Sequence, residues 1–141
     1  MNYRNNNYRK KELFEKIEAT IQNGLNIKIE EQRELFKFNG YLDEFAKELK
    51  ITTNQVRKIF NEIKKIDRKF KDNNDEEELK KSLIILYPKI SYNEKRDLFP
   101  KEFAKFISLL IEKVLDSKNV KKDFNMFINI IEGFVGFVKN K

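Results

Sequence analysis

Apolar residues recur along this chain at three- and four-residue spacing, the period of helices with one buried face. Leu13, Phe14, Ile17 and Ile21 share one face of a helix predicted from about residue 10 to 22, and Asn23-Gly24 supplies its stop. A short helix near 30–38 ends at Asn39-Gly40. The next covers 42–50 with Leu42, Phe45, Ala46 and Leu49 inward. The clearest helix begins with Thr53 as its N-cap and runs to about residue 70. Asp72-Asn73-Asn74-Asp75 closes it and caps a helix from 76 to about 87, which carries Leu79, Leu83, Leu86 and Tyr87 and breaks near Pro88. Pro100 fits the first turn of a helix over about 101–115. Phe124, Phe127, Ile128, Ile131, Phe134, Val135 and Val138 mark a last helix over about 120–138. Strand-like alternation is confined to the short stretch 25–29. The pattern predicts an all-α fold, a single-domain helical bundle, compact or elongated, of about five to six helices. Residues 1–9 are expected to be a flexible basic arm, 10–141 the helical domain, and 72–78 an acidic linker within it.

Composition narrows what such a bundle does. With 13 Phe and no Trp among 141 residues, the core leans on Phe, Leu and Ile. The chain has no Cys and no His. That removes disulfide scaffolds, thiolate metal sites, Cys nucleophiles, a Ser-His-Asp triad and the usual zinc hydrolysis. Its four Gly form no phosphate-cradling cluster. The expectation is therefore a protein that is not an enzyme, with no metal and no cofactor. No apolar run of membrane-spanning length occurs, and 1–11 lacks a signal peptide's apolar stretch. A cytoplasmic protein without a membrane partner is expected.

Of the 30 basic residues, 24 are Lys, so the placement of charge says more than the net +7. Residues 50–71 hold eight basic and two acidic residues. On a helical wheel at about 100° per residue, Val56, Ile59, Phe60, Ile63, Ile66 and Phe70 fill one arc. Arg57, Lys58, Lys64, Lys65, Arg68 and Lys69 fill the opposite one, with Glu62 at its edge. Surface helices rich in Lys commonly alternate it with Glu at i,i+4, and this one hardly does. Such a row of cations matches nucleic-acid phosphates, each contact releasing counterions. The plainer alternative is a solvated lysine face. The stretch 45–60 also has the pattern of a helix-turn-helix, with Ala46 where the helices cross and Val56 and Ile59 behind the second helix. In that reading the protein is a DNA-binding regulator that uses Asn54, Gln55 and Lys58. Lys50 then stands where the turn usually has Gly, in a left-handed conformation costing about 1 kcal/mol.

Three blocks carry a family resemblance. Ile51-Thr52-Thr53-Asn54-Gln55-Val56-Arg57-Lys58-Ile59-Phe60, followed by Ile63 and Ile66, resembles the "L-T-T-S-Q-I-R-K-F" helix of the small subunit of type III-A CRISPR–Cas (Csm) interference complexes. Leu86-Tyr87-Pro88-Lys89-Ile90-Ser91-Tyr92 with Arg96 resembles that family's "L-x-P-K-L-A-Y-x-x-x-R". Residues 127–139 resemble its C-terminal "F-x-x-F-x-E-A-I-V-A-Y-H-K", with Gly133 and Gly136 for Ala, Phe137 for Tyr and Val138 for His. The resemblance implies a small helical protein without catalysis of its own, several copies of which stack beside guide RNA and target RNA. It implies contact with the RNA backbone without sequence readout, and with other subunits of the effector complex. Gln55, Arg57, Tyr92 and Arg96 match motif positions, and Lys58 lies beside them. Lys64, Lys65, Arg68 and Lys69 join them from the basic arc. The apolar residues of 130–138 lie all round the helix, which suggests a second copy, as in a homodimer, or a neighbouring subunit.

Overall fold

A computed structural model describes residues 3–139. Among the described residues the apolar periodicity resolves into α1 (Tyr3–Thr20), α2 (Ile29–Phe36), α3 (Tyr41–Leu49), α4 (Thr53–Asn73), α5 (Glu76–Lys95), α6 (Lys101–Leu115) and α7 (Val120–Phe137). No strand forms among them; Thr52 and Lys139 meet in one isolated bridge. The fold is the all-α bundle that the spacing predicts, with seven helices among the described residues where about five to six were expected.

The helix ends follow local chemistry. Gly24 takes φ +114° after α1, where a side chain would be strained. Lys50 and Asn74 take left-handed conformations at the C-caps of α3 and α4. Asp75 caps α5 by accepting from the Glu78 N–H, and Asn119 caps α7 by accepting from that of Lys122.

Helix α3 packs on α1 and α7, α6 on α5 and α7, and α4 on α5 and α7. At the centre Phe134 of α7 meets Phe45 of α3 and Phe103 and Phe106 of α6, with ring centroids 5.9, 5.4 and 5.2 Å away. All four rings are fully buried. Burial of an aromatic side chain is among the largest single apolar gains in a core. Gly133 lets this packing come close. A Cβ there would meet the ring of Phe36 at 3.0 Å and Leu42 at 3.3 Å. The neighbours of Gly133 are thus α2 and α3 of the same chain, whereas nothing lies within 4 Å of a Cβ at Gly136.

Four boundaries differ from the sequence reading. Helix α1 continues N-terminally to Tyr3 rather than giving way to a basic arm at residue 9; Met1 and Asn2 lie outside the described residues. Arg9 is held by Glu12 and by Glu44 of α3, and these contacts, the Glu12 hydrogen bond foremost, raise its pKa. The acidic stretch 72–78 is the end of α4, a turn at Asn74 and Asp75, and the first turn of α5, where Glu76, Glu77 and Glu78 face the positive end of the helix dipole. Helix α5 runs through Pro88 to Lys95. Pro88 and Ile84 are both exposed, so the single lost i→i−4 hydrogen bond falls on the solvent side. Finally, Thr52, not Thr53, is the N-cap of α4.

Candidate nucleic-acid interface

The candidate interface is built on α4. Its start is fixed by a capping box: the Thr52 N–H donates to Gln55 Oε1 at 2.8 Å. Lys139, just past α7, adds a second tie, since the Thr53 N–H and hydroxyl donate to its carbonyl at 3.2 and 3.1 Å. Val56, Ile59, Ile63 and Phe70 are buried beneath the helix. Phe70 meets Phe124 of α7 edge-on at 5.7 Å, which holds the far end of α4 to the core.

The six cations of the outer arc separate into two groups. Arg57, Lys58, Lys65 and Arg68 are exposed, and none makes an ion pair or side-chain hydrogen bond among the described residues. From Arg57 to Arg68 they cover about 16 Å of helix axis, at 1.5 Å per residue. Lys64 instead reaches across to Glu132 of α7, and Lys69 bonds Glu78 of α5 at 3.0 Å. Lys71 bonds the buried Asp67 at 3.0 Å. The wheel places Lys64 and Lys69 in the basic arc correctly but says nothing of the acids that neighbouring helices bring to them. Gln55 is also spoken for, because its carbonyl oxygen completes the cap.

Helix α5 supplies the second wall. An open cleft of about 690 Å³ lies between α4 and α5, with Lys58, Asn61 and Lys65 on one side and Pro88, Tyr92 and Asn93 on the other. Lys89 pairs with Glu62 across it at 2.6 Å, which cancels the one acid of the basic arc. Tyr92 is 54% exposed, and the Arg96 guanidinium stacks on its ring at 3.8 Å. The structure thus brings Lys58, Lys65, Tyr92 and Arg96 together and leaves Arg57 and Arg68 on the open face beside them. Lys89, Asn61 and Asn93 escaped the sequence reading as site residues, although Lys89 stands inside one of the quoted motifs. Below the cleft, the Tyr87 hydroxyl donates to Glu112 of α6 and ties the two helices. Burial foremost, then the carboxylate, pushes Tyr87 above the ordinary phenol range.

Among the described residues no three Asp or Glu cluster as metal ligands would, and no helix is long and apolar enough to cross a membrane. The arrangement offers exposed cations, one exposed aromatic and two amides. These groups bind anions and planar rings.

In comparisons with known proteins, the family model described as Csm2 Type III-A matches residues 32–140. No curated protein and no solved structure gives a significant match.

Proposed function

Because this chain belongs to the Csm2 family, the small subunit of type III-A CRISPR–Cas (Csm) complexes, we propose that it is a non-catalytic subunit that holds the backbone of guide or target RNA. Copies of the chain line up along the strand beside the other Csm subunits. Arg57, Lys58, Lys65, Arg68 and Arg96 supply the phosphate contacts. Arg anchors a phosphate through its planar fork, while Lys adds charge on a flexible stem. The observation that carries this reading is the row of four exposed α4 cations without a carboxylate partner among the described residues. An unpaired row is free for phosphates, and phosphate contacts position a protein without reading sequence. A few contacts per copy bind weakly alone and strongly in a line.

A duplex-DNA regulator is the second reading, favoured by the left-handed turn at Lys50, φ 55°. That role asks the first residues of α4 to enter the major groove. Here the Lys139 carbonyl lies against Thr53 and Gln55 is bound into the cap, which disfavours it.

Fluorescence anisotropy over a salt series tests the proposal with labelled single-stranded RNA and duplex DNA. Five phosphate contacts give a log–log salt slope of about −3.5 on single-stranded RNA. Replacing Arg57, Lys65 and Arg68 together by Glu brings it to about −1.4 and weakens binding with helicity unchanged. Unaltered binding by that variant sinks the assignment. Tighter, sequence-selective binding of duplex DNA hands the function to the second reading.

A further inference from the structure

We propose that the cleft between α4 and α5 receives one unstacked base of single-stranded RNA, with Tyr92 as the stacking platform and Lys58 and Lys65 on the adjoining phosphates. The inference rests on the RNA reading above and adds a base contact to it.

A surface that only held phosphates would need no exposed aromatic. Tyr92 keeps 54% of its surface in solvent, and the ring of Pro88, one helical turn earlier, is exposed with it. With Ile59 of α4 they give the cleft its apolar lining. Its volume of about 690 Å³ lies within the range of roughly 300–1,000 Å³ typical of small-ligand sites. The Arg96 guanidinium, 3.8 Å from the ring centroid, occupies one face of Tyr92 and holds it in place, which leaves the opposite face for a base. An ordered aromatic loses little entropy on stacking a base.

The rim has the complementary polarity. Glu62 is neutralised by Lys89 at 2.6 Å, which leaves Lys58 and Lys65 as uncompensated charges two turns apart on the α4 side. Asn93 donates its amide N–H to the Lys89 carbonyl at 2.8 Å and keeps its side-chain oxygen as an acceptor. Asn61 makes no side-chain hydrogen bond among the described residues and so offers both a donor and an acceptor. Amides of both polarities, beside a ring that stacks on any π-face, accept all four bases. The contact is therefore consistent with binding that does not read sequence.

The test uses the full chain at low salt and anisotropy with two labelled strands of equal length and charge, oligouridylate and an abasic strand. The wild type binds the strand with bases about 5- to 150-fold more tightly, the range of stacking on one aromatic. Tyr92→Phe retains that preference. Tyr92→Ala, folded by circular dichroism, binds both strands alike. Equal binding of both strands by the wild type overturns the base contact and leaves the phosphate reading standing. Preference that persists in Tyr92→Ala overturns its assignment to this cleft. If neither strand binds more tightly to the wild type than to the triple Glu variant, the phosphate reading fails and the base contact fails with it.

Discussion

Lys64 and Arg57 have the same standing in the sequence, as basic positions on the outward arc of one helix. Their surroundings differ. Lys64 is half-buried and reaches Glu132, whereas Arg57 is exposed and unpaired among the described residues. The charge of Lys64 is already partnered, and a partly exposed ion pair contributes at most about 1 kcal/mol. The two residues therefore separate experimentally. Arg57→Ala reduces the RNA salt slope by about 0.7, one phosphate's worth. Lys64→Ala leaves the slope unchanged and lowers thermal stability slightly. Salt-series anisotropy and a melting curve on both variants check this, and equal slopes for the two would refute the division of the arc.

At the scale of the element, α4 is a long amphipathic helix whose start is set by side chains and by the Lys139 carbonyl. Gln55 illustrates a residue whose motif position and structural position imply different roles. The resemblance places it among RNA contacts, while its side-chain oxygen accepts from the Thr52 N–H. Gln55 supplies one of the two bonds of the capping box, and loss of the N-cap residue itself costs about 0.5–2 kcal/mol. Gln55→Ala is accordingly expected to lower the unfolding free energy by about 0.5 kcal/mol, the low end of that range, and to change RNA affinity less than twofold. A denaturant melt with a parallel binding titration decides it. A large loss of affinity at unchanged stability would return Gln55 to the interface. The neighbouring α5 shows the same dependence on context. A proline that ends helices elsewhere is carried here on an exposed face, and one turn on it brings Tyr92 to the cleft.

For the whole molecule, the interface depends on a core that it does not touch. Helix α4 is held by α5 and α7, and α7 is held by the rings of Phe45, Phe103 and Phe106 around Phe134. Phe134→Ala empties the centre of that cluster and is expected to cost about 3–5 kcal/mol. That is a large share of the roughly 5–15 kcal/mol available to a domain of this kind. The midpoint of unfolding falls, and helicity and RNA binding are lost together as temperature rises. If binding disappeared well before helicity, α4 would be loosely coupled to the bundle, against the packing seen.

The sequence by itself determined the helical class, the inward face of five of the helices and the row of cations on the longest one. Each of these follows from a period of 3.6 residues and from local caps, and both are written in near neighbours. It also carried the family through the blocks at 51–60, 86–96 and 127–139, and with it the place of the chain in a Csm complex. Only the tertiary structure decided which cations remain available. Glu132 takes Lys64 from 68 residues away, and Glu78 takes Lys69 from the next helix. The cleft was equally out of reach, because Lys58 and Tyr92 lie 34 residues apart and meet only where α4 and α5 pack side by side. Periodicity tells a side chain whether to face the core or the solvent. It carries no information on which helix, and which charge, stands opposite.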